Sequence, residues 1–404
     1  MTVSGFSYMP YLKRSDFRRT GVHSIGETVE IEKKQEKKGM PVWAKTVLTI
    51  LASLIAILLI VFAFAYRKWQ RADYLTAEMF RANESNTIPV HKVSQLDESS
   101  ENKQTEDYRE KDVITFNGER YKYNDDLVNI LIMGIDDYGL KGDKDTDANP
   151  YQADTLVLGT VDAVKKTVSF LAIPRDTVTD IKVLDLNDEV ATTRKGPIAI
   201  AHSFGTQGEK TNETVTETVS ELLYNVPIYR YVAVDITAIP DINDSVGGVT
   251  VDITDDLTKW NPKMKEGTTD YRLLGKDSII FVARRDTDID DSAMGRMKRQ
   301  VQYLKKLFPA VKAKTASNIT YPIALYNKEA NKVATNLTLD EMTYLAKLLL
   351  DLELDENEIA SVPGQMKHIE PGEIEDYDYE MGYLVDEDAL KQLVIDRFYV
   401  KAEE

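Results

Sequence analysis

Twenty-one consecutive residues without a charge, Thr46 to Tyr66 ("TVLTILASLIAILLIVFAFAY"), constrain this chain more than any other feature. At about 1.5 Å per residue a helix of that length crosses the hydrocarbon layer of a bilayer, whereas a helix buried in a globular core is rarely apolar on every side for so long. A cleaved signal peptide has a shorter apolar stretch and a small-residue cleavage site, and no convincing site of that kind occurs before "YRKWQRADY". The stretch therefore reads as an uncleaved signal anchor. Lys33, Lys34, Lys37, Lys38 and Lys45 precede it, against Arg67, Lys68 and Arg71 after it. Cationic residues resist translocation, so residues 1–45 are expected to form a cytoplasmic tail of a single-pass cell-membrane protein whose mass from residue 67 onward is extracytoplasmic.

Charge and cysteine content then narrow the functional classes. The tail carries net +4, whereas the part beyond the span carries net -21. So acidic an external region argues against nucleic acid as a partner. With no cysteine, disulfides, thiol nucleophiles and Cys-zinc sites are excluded, and four scattered histidines make a His-based metal centre unpromising. A metal in such a chain is expected to be a hard cation held by carboxylates.

Residues 67–112 are polar and broken, with "DESSENKQTEDYREKD" the clearest low-complexity run, and read as a linker or stalk. The texture changes after Val113. "NILIMGID" (129–136), "DTLVLGTVDA" (154–163) and "TVSFLAIPRD" (167–176) are short apolar runs bounded by Asp, Gly or Pro, as in strands covered on both faces; "YRYVAVDI" (229–236) and "VTVDIT" (249–254) read as further strands. "ETVTETVSELLYN" (213–225) places Val215, Val219 and Leu222 at helical spacing. Met297, Val301, Leu304 and Phe308 give one apolar face to a helix from about Ala293 to Val311. "LDEMTYLAKLLLDL" (339–352), with Thr338 as N-cap, and "EDALKQLVIDRF" (387–398) read as closing helices. Alternation of strands and helices predicts a single α/β domain over residues 113–399, layered α-β-α around a mixed central sheet and preceded by the transmembrane helix.

Against the acidic background, "FVARRDTDIDDSAMGRMKRQ" (281–300) concentrates Arg284, Arg285, Arg296, Lys298 and Arg299 among four aspartates. At roughly 100° per residue, Arg296, Arg299 and Gln300 share one helical face, separate from the apolar one, and Arg284 and Arg285 fall near that helix's start. Guanidinium groups beside helix N-terminal amides suit phosphate, although a solvated cationic face paired with aspartates has equal standing. "AIPRDT" (172–177) places Arg175 and Asp176 where an apolar strand leaves the sheet, a usual position for ligands. "ADT" (153–155) and "GIDD" (134–137) add Asp154 and Asp136 beside neighbouring strands. No phosphate-binding glycine loop of the G-x-x-x-x-G-K-[ST] type and no G-x-S-x-G elbow occurs, Asp288 and Asp290 make only a minimal D-x-D, and His202 reads as structural.

In order, "NILIMGID", "QADTLVLGTVD", "FLAIPRDT", "AHSFG", "YVAVDITAIPDINDSVGGVTV" and "RRDTDIDDSAMGRMKRQ" resemble the LytR-CpsA-Psr family of bacterial membrane-anchored phosphotransferases. The resemblance implies a Gram-positive cell-wall ligase that moves an anionic glycopolymer, such as a teichoic acid or capsule, with one phosphate from a polyprenyl-pyrophosphate carrier to a peptidoglycan hydroxyl. It implies pyrophosphate binding by Arg175, Arg285, Arg296 and Gln300, a magnesium ion on Asp154 and Asp136, and elements that enclose the prenyl chain. Arg284 and Arg299 are further cations available to the substrate. Asp176, Asp290 and Asp291 are the acids available to activate the acceptor. Two positions depart from the pattern: Gln152 and Ala283 stand where the family commonly has arginine. These departures keep a non-catalytic binder of the carrier or polymer, and a pyrophosphatase-like hydrolase, as alternatives.

Overall fold

The computed structural model describes Phe80 and residues 113–135, 152–205, 209–286, 288–289 and 292–402. The expected transmembrane segment, the tail and most of the linker lie outside them, and no helix among the described residues is long and apolar enough to cross a membrane.

The central sheet is built on β3 (Leu127–Ile135), β4 (Ala153–Asp162) and β5 (Thr167–Ile173), joined antiparallel in sequence. β8 (Arg230–Asp235) lies parallel to β3 and carries β11 (Val333–Thr335) antiparallel on its far side. At the other edge, the short strands β12 (Glu353–Leu354) and β13 (Ala360–Ser361) both run parallel to β5. The sheet is mixed, as expected. The remaining strands in chain order are β1 (Val113–Phe116), β2 (Glu119–Tyr123), β6 (Val178–Leu184), β7 (Val190–Pro197), β9 (Thr250–Val251), β10 (Tyr271–Arg272), β14 (Gly364–His368), β15 (Met381–Val385) and β16 (Tyr399–Lys401).

Near-continuous apolar strands need cover on both faces, and the sheet has it. On one face Leu131, Met133, Leu156, Leu158 and Leu171 pack with Val215 and Val219 of α1 (Glu209–Leu222) and with Leu390, Val394 and Phe398 of the C-terminal helix Glu387–Phe398. On the other, Val128, Val157, Val161, Val168 and Phe170 meet Leu304, Phe308, Leu345 and Leu348. Those four belong to the helices Ser292–Ser317 and Leu339–Leu348. Continuing in chain order, α2 is Ile239–Ser245, α3 Lys276–Ala283, α4 Ser292–Ser317, α5 Tyr321–Glu329, α6 Leu339–Leu348 and α7 Glu387–Phe398. The α-β-α layering therefore holds.

Several local expectations change. The apolar row of α1 closes with the fully buried Leu223, just past the helix end, rather than Leu222. The run 249–254 yields only the two-residue β9, paired with β10 outside the central sheet. There Gly248 holds φ +90°, and a Cβ on it would sit 2.6 Å from the Leu273 carbonyl oxygen, so the chain passes too closely for any side chain. The segment read as linker contributes Phe80, fully buried in the α4/α6 layer, with its ring 6.1 Å from that of Tyr344 and 5.8 Å from the Arg230 guanidinium. A lone phenylalanine in a polar run carries no periodicity, so its docking had no sequence signal. The closing segment belongs to the same domain: besides α7 in the core, β16 pairs with β2.

Candidate active site

Because β4 and β5 are antiparallel, with Leu156 opposite Ile173, the start of one strand and the end of the other meet at one end of the sheet. Asp154 and Arg175 are brought together there. Arg175 donates through Nη1 to Asp154 and through Nη2 to the Gln152 side-chain oxygen, and its Nε lies 3.3 Å from Asp176 Oδ1. The N-terminal end of α4 crosses this end of the sheet and supplies Arg296, whose Nη1 donates to Asp154 Oδ2 at 3.2 Å. Arg285, just beyond α3, donates to Ser292 Oγ at 3.2 Å and stands close enough to Arg296 to repel it. Three of the sequence-chosen arginines thus converge with Asp154 and Asp176.

The electrostatics of the cluster are unbalanced toward an anion. Burial pulls the Arg296 guanidinium below its usual range; Asp154 opposes that, while Arg175 and Arg285 add like-charge repulsion. Arg296 Nη2 is buried without a hydrogen-bond partner among the described residues, and Arg175 Nε has only the ion pair with Asp176. Buried donors of this kind are costly unless something accepts from them, and an incoming phosphate supplies acceptor oxygens and negative charge together.

Behind the cluster lies an apolar cavity of about 460 Å³ between the sheet and α4. Ile130, Ile132, Val161, Phe170, Leu304 and Phe308 are among its walls, and Asp154, Arg296 and Gln300 also line it. A second, much smaller pocket shares those three polar residues and adds Arg175 and Asp176. The cavity explains an inversion on α4. The face expected to be buried, Met297, Val301, Leu304 and Phe308, is only partly so, because much of it borders the void; the deeply buried side chains are Arg296, Arg299, Gln300 and Tyr303.

The other chosen residues have different surroundings. Arg299, expected on the anion face, is consumed structurally: Nε donates to Asp255 Oδ2 at 2.7 Å, Nη2 to the Arg284 carbonyl at 2.6 Å, and Nη1 to the Phe281 carbonyl. It ties the end of α3 to α4 rather than facing the site. Gln300 lines both pockets while its Nε2 donates to the Val282 carbonyl at 3.0 Å. The Arg284 side chain is exposed and lines neither pocket, whereas Ala283 lines the apolar cavity. Asp136, Asp290 and Asp291 lie outside the described residues. His202 is buried with Nε2 3.2 Å from Asn212 Oδ1, a position between elements rather than at the site.

Gln152, marked in the sequence as standing where an arginine is expected, is a neutral partner of Arg175. One site feature had no sequence signal. The backbone N–H of Tyr383 donates to the Asp176 carbonyl at 2.8 Å, bringing a hairpin from the far end of the chain against the end of β5. For a divalent cation, Asp154 and Asp176 are the hard oxygen donors in the cluster, and no group of three or more His, Asp or Glu side chains converges among the described residues. One carboxylate with phosphate oxygens completing the shell is an ordinary arrangement for magnesium, so the donor chemistry is compatible.

A mixed sheet layered between helices thus places a guanidinium cluster beside an apolar cavity at one end of its strands. The chain belongs to the LytR_cpsA_psr family, whose model matches residues 90–394. It is 30% identical over 249 residues to the polyisoprenyl-teichoic acid–peptidoglycan teichoic acid transferase TagV of Bacillus subtilis, a match covering 60% of this chain and 58% of that protein. It is 28% identical over 272 residues to the corresponding transferase TagU of the same organism, covering 66% of this chain and 76% of TagU. The chain thus spans less than two thirds of the length of TagV. The crystal structure of B. subtilis TagV superposes with a TM-score of 0.50 at 25% identity, covering 67% of this chain and 96% of that one.

Proposed function

We propose that this protein transfers an anionic glycopolymer, together with one phosphate, from a polyprenyl-pyrophosphate carrier to a hydroxyl of peptidoglycan. The observation that carries the reading is Arg296, which borders a cavity lined by apolar side chains and keeps a buried Nη2 without a partner among the described residues, with Arg175 in the small pocket beside it and Arg285 close enough to repel it. The two parts suit the two ends of such a donor. The prenyl chain fills the cavity, and the pyrophosphate lies across the guanidinium groups.

In the reaction the acceptor hydroxyl oxygen forms a bond to the phosphorus that carries the glycopolymer. The bond from that phosphorus to the bridging oxygen breaks, and the electron pair leaves with prenyl phosphate. Charge accumulates on the bridging oxygen, where Arg296 and Arg175 stabilise it without a covalent protein intermediate. Asp176, partly exposed beside Arg175, accepts the hydroxyl proton. Asp154 would hold a magnesium ion, which would supply charge neutralisation for the pyrophosphate; the family resemblance gives Asp136 as the second carboxylate. In this reading the span at residues 46–66 keeps the domain at the outer membrane surface, where the carrier lipid and the wall are both within reach.

The full chain in detergent, supplied with lipid-linked oligosaccharide, peptidoglycan acceptor and magnesium, is expected to release prenyl phosphate and to label the acceptor. One alternative has an observation of its own. Gln152 is already bonded to Arg175, and Ala283 lines the lipid cavity, so the two expected extra cations are absent from the site. Tight donor binding with no release of prenyl phosphate would establish a non-catalytic binder instead. Release without any acceptor would indicate a hydrolase.

A further inference from the structure

The segment between β14 and β15, residues 369–380, leads into β15, which is anchored on the chain beside Asp176. Besides the Tyr383 N–H on the Asp176 carbonyl, Thr177 and Tyr383 form a parallel bridge. A Cβ on Gly382 would lie 2.5 Å from Val178 Cγ2 and 2.9 Å from the Tyr377 hydroxyl, so the hairpin packs directly on the chain leaving the catalytic strand. Tyr377 is buried, and its hydroxyl donates to the Met381 carbonyl at 2.8 Å. Its ring braces that of Tyr379 at 5.3 Å, and Tyr379 is 37% exposed. The result is a rigid aromatic step facing solvent beside the site.

Displacement geometry and charge select its occupant. In-line displacement requires the incoming oxygen and the departing one on opposite sides of phosphorus. The prenyl phosphate leaves toward the apolar cavity, which Asp154, Arg296 and Gln300 border; Arg175 and Asp176 border only the smaller pocket, and the hairpin is attached at Asp176. The step therefore lies on the acceptor's side. Charge agrees: Glu370, Glu373, Glu375, Asp376, Asp378 and Glu380 are all exposed around the tyrosines, with Arg194 3.5 Å from Asp378. Such a rim repels the anionic donor polymer and offers acceptor oxygens to the hydroxyls of a neutral glycan.

We propose that Tyr379, braced by Tyr377, is a stacking platform for the acceptor glycan: the apolar face of a neutral pyranose lies on the ring and presents its hydroxyl past Asp176. This rests on the transfer reading, and names the half of the substrate that the guanidinium cluster leaves unassigned. Loss of one such stacking contact corresponds to about a tenfold change in affinity.

The test compares wild type, Tyr379→Ala and Tyr379→Trp in the full chain, with donor and acceptor varied separately. A second arm measures binding of a neutral N-acetylated aminosugar tetrasaccharide by titration calorimetry. The platform predicts that Tyr379→Ala raises the acceptor KM and the tetrasaccharide Kd about tenfold, leaves the donor KM alone, and that Trp restores both. An acceptor KM and Kd within twofold of wild type in Tyr379→Ala would overturn the platform while transfer stands. A raised donor KM instead would assign the step to the polymer and likewise overturn it. Tyr379-dependent tetrasaccharide binding by a wild-type chain that releases no prenyl phosphate would sink the transfer reading and leave the platform.

Discussion

Arg296 and Arg299 stand three positions apart on α4 and have opposite fates. Arg296 shares a carboxylate with Arg175 and keeps Nη2 without a partner, whereas every nitrogen of Arg299 is spent on Asp255 and two backbone carbonyls. Arg175→Ala and Arg296→Ala should each lower turnover by about 10²- to 10³-fold with unchanged circular dichroism, as expected for lost charge stabilisation in the transition state. Arg299→Ala should cost about 2–4 kcal/mol of stability, read as a lowered urea midpoint, because it strands two carbonyls at the end of α3. The sequence marked both arginines for the same face. Helical angles separate residues by direction, but 60° at the base of long side chains does not say which guanidinium will find backbone carbonyls and which will find a void.

α6 illustrates an element whose start was readable. Thr338 accepts from the Glu341 N–H while the Glu341 carboxylate accepts from the Thr338 N–H, a full capping box. Glu341 also pairs with Arg230 of β8, its carboxylate 2.6 Å from Nη2 and both side chains fully buried. Thr338→Ala is expected to cost about 1 kcal/mol, and Glu341→Gln about 3–5 kcal/mol, since the latter leaves a buried guanidinium without its counter-charge. Denaturant titration of the two variants should rank them in that order. β4 offers a test of the cavity: a Cβ on Gly159 would make ordinary contacts with Ile130 and Phe170, at 3.6–3.7 Å. Gly159→Val should therefore fold, narrow the cavity, and weaken binding of a long-chain prenyl donor more than that of a short-chain one. The α4 pattern was legible as a helix yet misleading about burial, because an apolar face can border a cavity as readily as it borders core.

Across the whole domain, tyrosine burial sets an alkaline limit. Burial, with Asp176 nearby, pushes Tyr377 up to about 12, and burial with Glu387 and Asp388 does the same for Tyr224. The folded state holds these phenolic protons more tightly than the unfolded chain, where the value is near 10. Their contribution is therefore complete below about pH 10 and is lost as pH rises through about 12. The urea midpoint should fall over that window, and Tyr377→Phe should flatten the fall. Strand and helix order, the mixed α/β class, the family and three of the arginines that gather near Asp154 were present in local pattern, because periodicity and strand-end chemistry act within one element. Assembly decided the rest: Arg296 reaches Asp154 from 142 positions away, Phe80 joins the core from a polar segment, and the C-terminal hairpin docks on Asp176. Such meetings depend on how elements pack in three dimensions, and the sum of packing and hydrogen-bond terms that fixes them has no period along the chain.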